Sequence, residues 1–596
     1  MGHIPCTVIK PKTTGNRRFR FDAPVKGLRL SEKDTSFAEG TCRGLYNMDI
    51  GTGSIESSGE KKRLFEGINT SGLALHSITK QGYMGSVFLH LGSCLYRYDT
   101  ALDKPVLVSD SLPDKHSVMC VFMSSLYIYC DTYVYRVDSD FMFYEEYPDA
   151  PLLFTNVDPV LARDSERLPD VPLNLLAPRI KVRYKAADAL LYILPLSMNA
   201  KRKPKVFVNG IELEEGRFTY QIDRVQLAHG SDTMAAKFVE VEYYVLAPNV
   251  IGYEPYFYNC TTASSYGGEG ISGNRLFFSG DRQKKGACYK SEHRNPLYFG
   301  ENEQFVIGDG YDNVTYLGRM YSDLIVLSEL GTYKITSFIE DEIEVFKTKQ
   351  ISGEIGCDMP ESACLADNRI VFANSKRGIF IVDFNEDYQE HNVKPVSRNI
   401  ERGKGMGLLE NSKEELIKAE GIDLDRKYLL LCGDKLYIWD YDKCNYYDTG
   451  NFNESQTRLV YSIYKDVGCD GMFAIDSMAV VYKKDILEAY VFDTSLREKQ
   501  SGFETGECDF GEPSLRKLVK DMHFVVRADE GAVLTLKLFA DGVRYYERSI
   551  AFTQKKTVRI KEVIPKNEMF TLSFAIDAEG GGFEFFSATA VYSIIE

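Results

Sequence analysis

Short apolar runs broken by tight polar turns recur along most of the chain. In SVFLHLGSCLYRYD (residues 86–99) apolar and polar positions alternate, turn over at Gly92-Ser93, and resume in a Tyr-rich run. The same pattern returns in SVMCVFMSSLYIYCDTYVYRVD (117–138), NRLFFSGD (274–281) and SDLIVLSELGTYKI (322–335). It returns again in NRIVFANSKRGIFIVD (368–383), YLLLCGDKLYIWDYD (428–442) and MAVVYKKDILEAYVFD (478–493). A period of two places alternate side chains on one face, so each run predicts a pair of strands joined by a short turn. Seven such units centre near Phe88, Phe122, Phe277, Val326, Phe372, Leu430 and Val481. Outside one wide gap they recur about every 35–60 residues, the spacing of propeller blades, and radial packing leaves so many hairpins only short edges. The expected fold is therefore all-β: a β-propeller of about six to seven blades, with a run of separate sandwiches as the alternative.

Two stretches break the rhythm. The gap between Asp138 and Asn274 opens on a proline-rich linker, LPDVPLNLLAPR (168–179), and continues into KVFVNGIELEEGRFTYQID (205–223) and FVEVEYYV (238–245). Asn209-Gly210 suits a hairpin turn with two left-handed residues, so residues 173–245 predict a small inserted β-domain. From Lys517 onward five or six strands follow within about 80 residues, the spacing of a β-sandwich. The expected organisation is an N-terminal arm with the first blades over 1–165, an inserted β-domain over 166–248, the remaining blades over 249–505, and a C-terminal β-sandwich over 506–596. Helix is expected only in NSKEELIKAE (411–420), where Ser412 can cap and Glu415 stands three residues on.

Composition sharpens the class. The 596 residues include 38 Tyr and 35 Phe but a single Trp, Trp439, and aromatic residues favour pleated, half-buried surfaces. With 71 basic against 86 acidic residues the formal charge is −15, which argues against a general binder of nucleic acid or anionic membrane. Thirteen cysteines form no C-x-x-C pair, and Cys357 and Cys364 stand with six residues between them, so free thiols in a reducing compartment are expected. The N-terminus has no apolar leader segment and no stretch reaches the ~18 apolar residues of a membrane helix, so a protein made in a cytoplasm and soluble there is expected.

Catalytic patterns are missing from the sequence. The eight histidines stand too far apart along the chain for metal-ligand spacing, and no phosphate loop, dinucleotide fingerprint or nucleophile elbow occurs. Asp309, Asp312 and Asp323 read as turn acids, and GDGYDNV (308–314) lacks the twelve-residue ladder of a calcium loop. The basic run Lys201, Arg202, Lys203, Lys205 contains Pro204 and reads as a solvated turn. No catalytic residue, cofactor or metal is expected. The candidate site is instead the N-terminal arm, where Arg17, Arg18 and Arg20 alternate with Phe19 and Phe21. It reads either as an arm docking on a neighbouring subunit or as a first edge strand with solvated arginines.

Several phrases, in order, resemble the propeller-bearing tail structural proteins of tailed bacteriophages, the nozzle or tail tubular protein B type. The opening FDAPVKGLRLSEKDTSFAEGTCRGLYNMDIGTGSIESSGEKKRLFE (21–66) is similar through Asn47, Gly53, Ile55 and Gly59, with Ser57 where the family commonly has Arg. NLLAPR (174–179) with KVFVNGIELEEGRFTYQID resembles the family's inserted domain. Residues 272–335 match through Arg275, Ser291, Pro296, Phe299, Leu324, Ile325, Val326, Tyr333 and Ile335. Gly356-Cys357 and Gly378-Ile379 fit the succeeding blade, and Phe510-Gly511 with Lys517 fits the approach to a terminal sandwich. The resemblance implies a virion structural protein and no enzyme. It implies a homo-oligomeric ring, six-fold in the family, contacting adjacent tail or neck proteins, with DNA passing through its lumen without sequence-specific binding. An adhesin binding host-surface glycan or receptor is the alternative expectation.

Overall fold

The computed structural model describes residues 15–595 except 31–39, 66–71, 103, 156–173, 186–189, 200, 231–236, 247–258, 269–272, 301–302, 342, 386–389, 444–458 and 485–486. Both expected borders of the inserted domain, 165/166 and 248/249, lie outside the described residues, as does the linker over 168–173. Two compact units emerge that do not follow chain order. One gathers Met1–Ser71, Thr100–Lys104 and Asp358–Glu596; the other holds Gly72–Asp99 and Pro105–Cys357. The chain is all-β, and among the described residues one short α-helix, Lys413–Ile417, lies within the stretch where the sequence predicts it. Ser412 Oγ accepts from Glu415 N while the Glu415 carboxylate accepts from Ser412 N, a reciprocal cap that satisfies two orphan donors.

The Gly72–Asp99 and Pro105–Cys357 unit contains four antiparallel meanders of four strands each. They are Leu75–Ile78 to Val106–Ser109, Ser117–Phe122 to Phe143–Glu146, Thr262–Tyr266 to Gln304–Val306, and Val314–Met320 to Ile343–Ser352. Their tight turns use left-handed residue pairs, such as Met123-Ser124 with φ of 46° and 63°, whose twist matches that of the strands. Between the second and third meanders lie a five-stranded sheet (Leu152–Thr155, Arg179–Lys185, Phe238–Tyr244, Lys205–Val208, Ile211–Glu212) and a three-stranded one (Leu191–Ile193, Arg224–Leu227, Phe218–Gln221). Asn209 and Gly210, at φ 51° and 82°, make the expected hairpin turn. Ile180, Val182 and Tyr184 alternate into a core shared with Tyr192, Val225 and Val241.

The other unit holds three more groups of four. One runs from Cys364–Ala366 to Glu390–Pro395, and a second from Glu420–Leu424 to Val460–Tyr464. In the third, Gly471–Ile475, Met478–Lys483 and Glu488–Arg497 are completed by Gly59–Phe65, a strand from the far end of the sequence. Cys42–Tyr46 likewise pairs antiparallel with Ser501–Thr505 and meets Val460–Tyr464 in parallel, which joins the second group to a C-terminal sheet in one nine-stranded sheet. That C-terminal sheet (Ser501–Thr505, Leu572–Glu579, Val533–Ala540, Val543–Ala551) shares a core with another built on Arg516–Ala528 and Phe583–Ile595.

Alternation explains which residues fill this core. Leu534, Leu536 and Leu538 point in and Thr535 and Lys537 point out. In Arg516–Ala528 a bulge between Val519 and Asp521 resets the count, so Lys517 and Val519 face inward, then Met522, Phe524, Val526 and Ala528. Phe574 lies at the centre, with ring centroids 5.4 Å from Phe21, 5.4 Å from Phe524, 5.9 Å from Phe503 and 5.9 Å from Phe585.

Candidate functional site

The N-terminal arm forms a strand, Arg17–Asp22, paired antiparallel with Phe583–Ile595 of the same chain. Period two sends Phe19 and Phe21 inward and Arg18 and Arg20 outward, while Arg17, on the face of the rings, is exposed at the start of the strand. Phe19 and Phe21 pack on Phe510 at 5.3 and 6.1 Å, and Phe510 in turn lies 4.5 Å from Tyr592. Arg20 pairs with Asp22 at 2.7 Å and Arg17 with Glu512 at 3.5 Å, while Arg18 is exposed and has no partner among the described residues. The geometry is that of an edge strand, with one row of backbone groups paired to Phe583–Ile595. Removing either ring should cost about 1–2 kcal/mol of stability, whereas Arg18→Ala should stay within about 0.5 kcal/mol. Chemical denaturation of Phe19→Ala, Phe21→Ala and Arg18→Ala checks this; three equal, negligible effects would separate the arm from its own chain.

Five polar residues of the phrases singled out in the sequence act as fasteners, and most of the others are apolar core residues. Asn47, left-handed at φ 51°, donates to Gln500 O (2.9 Å) and accepts from Lys465 N (2.7 Å). Asn174, fully buried, donates to the carbonyls of Asp149 (3.0 Å) and Leu297 (2.6 Å) and accepts from Leu176 N and Phe299 N. Arg275 reaches Ser291 O (2.8 Å), and Ser291 Oγ accepts from Leu276 N (2.9 Å). Lys517, with no exposed surface, donates to the carbonyls of Glu512 and Phe570, and burial pulls its ammonium below the ordinary lysine range. Each bonds main-chain groups that lie wholly or partly out of reach of water.

The turn acids have local duties. Asp309 accepts from Tyr311 N and Asp312 from Leu330 N, and Asp323 binds Lys334 (2.9 Å) and Thr336 (2.7 Å). Among the described residues no group of three or more His, Cys, Asp and Glu is placed to hold a metal ion. Eleven described cysteines are free and nine of them are buried, as at Cys120, where burial pushes the thiol up to about 12. Among the described residues no helix is long and apolar enough to cross a membrane.

Sequence spacing misses one cluster. Strand pairing sets His76 beside His90, ring centroids 4.9 Å apart, although they are separated along the chain. His76 Nε2 meets Asp114 at 2.7 Å, His90 Nδ1 meets Ser117 Oγ at 2.7 Å, and Ser117 Oγ meets Ser77 Oγ at 2.5 Å. A serine beside a histidine suggests a nucleophile, but His90 has no exposed surface and Ser117 only 2%. No substrate reaches that hydroxyl, and the network ties two meanders together. Burial, reinforced by the His76 charge, pulls the His90 imidazole down to about 4. The unfolded chain then binds a proton that the folded chain refuses between pH ~6.5 and ~4, so His90 costs stability as pH falls through that window. The loss should approach about 3 kcal/mol at pH 4. Thermal unfolding of wild type and His90→Gln over this range isolates it, because carboxylate effects cancel in the difference; parallel profiles would refute the assignment.

The Met1–Ser71, Thr100–Lys104 and Asp358–Glu596 unit also carries a cavity of about 680 Å³. Its floor includes Leu429, Ile438 and Phe492, and its rim Asp49, Lys62 and Asp425. The rim charges are partly met within the chain, Lys62 by Asp493 (3.2 Å) and Asp49 by Tyr464 Oη (2.5 Å).

No protein-family model and no curated protein matches the sequence. Among solved structures the chain is similar to the AfRom2 CNH domain, at 8% identity over 72% of this chain and 98% of that one, with a TM-score of 0.34. It is similar to Hsv2 of Kluyveromyces lactis at 8% identity over 66% and 97%, with a TM-score of 0.27. PorZ, a bacterial surface component of the type-IX secretion system of Porphyromonas gingivalis, aligns at 11% identity over 81% and 71%, with a TM-score of 0.23. At these scores no common fold follows.

Proposed function

We propose that this chain is a structural component of a bacteriophage tail, one subunit of a ring that continues the DNA exit channel. In this reading its seven groups of four strands are the blades of one propeller, carrying the module that contains Arg179–Lys185 as an insert and the strands after Ser501 as a C-terminal sandwich. The observation that carries it is the last group of four, in which Gly59–Phe65 from the start of the sequence pairs with Glu488–Arg497 near its end. In a propeller such an exchange would join the first and last blades, and a ring of sheets closed that way would be rigid enough to bear load. The order of phrases resembling nozzle proteins supplies the setting, and the buried fasteners at those positions fit an architectural role. The excess of acidic residues suits a conduit, because a wall of like charge does not hold the duplex. Family resemblance puts the ring at six copies.

Electron micrographs of purified particles with this protein labelled test the assignment. Label at the tail is expected, and particles free of the protein would overturn it. A ring lumen lined mainly by lysine and arginine would contradict the conduit. A second reading, a glycan-binding adhesin, draws on Tyr311 and Tyr321, which are 82% and 57% exposed at turns. Glycan-array binding by the isolated protein, lost in Tyr311→Ala, would favour that reading instead.

A further inference from the structure

The basic run over 201–205 forms the expected turn, with Lys201 and Lys203 exposed, but Arg202 and Lys205 meet a sheet face rich in rings. Because Ile180, Val182 and Tyr184 fill the core of the inserted module, Arg179, Lys181 and Arg183 face the other way. Arg183 lies between Phe154 (5.2 Å) and Phe238 (4.6 Å), and Lys181 lies over Phe207 (4.1 Å). Arg179 stands by Tyr147 (5.2 Å) and Tyr244 (5.7 Å). Arg202 covers Tyr133 (4.5 Å) and Tyr244 (4.3 Å) and donates to Thr132 Oγ1 (2.6 Å), while Lys205 lies 4.7 Å over Tyr147. All of these belong to one compact unit.

The cations are not equivalent. Lys181 and Arg183 both grip Glu240, and Arg179 pairs with Glu242. Burial pushes the Glu240 carboxyl up, but the hydrogen bonds from Lys181 and Arg183 outweigh it and hold it below the ordinary range. Among the described residues Arg202 and Lys205 have no carboxylate partner. Around them the rim is apolar: Phe154 is 66% exposed, Tyr147 48% and Leu152 39%.

We propose that this face is an interface that takes an acidic surface of a second copy of the chain. Charge supplies the first reason, since two unneutralised cations sit on a chain whose remainder is strongly acidic. The residue types supply the second: tyrosine, phenylalanine and arginine around an apolar rim are the anchors of protein–protein contacts. A nucleic acid would call for a row of free cations on successive phosphates, and here most are neutralised by Glu240 and Glu242. The choice of a second copy rests on the ring reading, in which head-to-tail contacts join unlike surfaces.

Sedimentation velocity of the full chain tests the interface. The wild type should self-associate, more weakly as salt rises from about 0.1 to about 0.5 M. Arg202→Glu with Lys205→Glu should weaken association about tenfold or more, and Phe154→Asp should weaken it independently. If the double variant does not fold, Phe154→Asp carries the test, since its ring is largely in solvent. A wild type monomeric at every concentration, or folded variants that associate like wild type, would overturn the interface. So would heparin or oligonucleotide binding that depends on Arg202 without any self-association. Labelled tails whose rings assemble unchanged in the variants would sink the interface and leave the tail role standing. Particles lacking the protein, beside an Arg202-dependent self-association, would do the reverse.

Discussion

Gly59→Ala should lower stability by about 3 kcal/mol, far more than a surface alanine ordinarily costs. A Cβ at this position would stand 2.8 Å from the carbonyl carbon of Asp493, 2.9 Å from its oxygen and 2.9 Å from the carbonyl carbon of Phe492. All three are main-chain atoms, so no side chain can swing away, and the strand Gly59–Phe65 must shift off Glu488–Arg497. Its pairing is already irregular there, with a register break between Asp493 and Arg497. Overpacking against fixed backbone is the mechanism, and it acts on the strand that completes the last group of four. Lys62→Ala on the same strand, where the lysine is largely exposed and meets Asp493 at 3.2 Å, should change stability by no more than about 0.5 kcal/mol. Denaturant melts of the two variants, with limited proteolysis of the Glu488–Arg497 region, distinguish the effects. A Gly59→Ala protein that melts with wild type and resists protease equally would show that this strand holds nothing in place.

Phe574→Ala should be more damaging, at about 3–5 kcal/mol. The ring has no exposed surface and meets four other rings, three of them edge to face, the arrangement that a ring quadrupole favours. The neighbours come from the arm (Phe21), from Ser501–Thr505 (Phe503), from Arg516–Ala528 (Phe524) and from Phe583–Ile595 (Phe585). The resulting void therefore borders four segments. A double-mutant cycle between Phe21 and Phe574 should return a coupling of about 0.5–1.5 kcal/mol. Strictly additive effects would mean that the arm's ring is not seated on Phe574 in solution.

Much of the sheet content was legible because buried strands announce themselves. Each of the seven apolar centres, from Phe88 to Val481, falls in a different group of four strands. Outer strands such as Val106–Ser109, Phe143–Glu146 and Gln304–Val306 carried no such signal, since they are short and only half-buried or exposed. Gly59–Phe65 reads GEKKRLF, a charged run without alternation, and nothing local reveals its partner hundreds of residues away. The helix was legible because Ser412 and Glu415 form its cap within four residues. His76 and His90 escaped notice because linear spacing does not reveal neighbours across two paired strands. Pro204 marks the basic run as a turn, whereas the surroundings of Arg202 and Lys205 depend on rings that come from distant strands. The arm's alternation did give its geometry, but alternation cannot say whether the partner strand is its own chain's or another's.

Ser57 Oγ accepts from the main chain of Phe583, 526 positions further on, and Cys42–Tyr46 and Arg17–Asp22 likewise pair with strands from the last hundred residues. During translation these early segments leave the ribosome long before their partners exist. At roughly 5–20 residues per second the wait lasts about half a minute to two minutes. Through that interval Phe19, Phe21 and the open strand edges are uncovered, so nascent chains of this protein should engage chaperones until Phe583–Ile595 emerges. A chain stopped just before Phe583 would still offer Ser501–Thr505 to Cys42–Tyr46 but would leave Arg17–Asp22 and Ser57 without their partners, so the emergence of Phe583–Ile595 is the event that seats the arm.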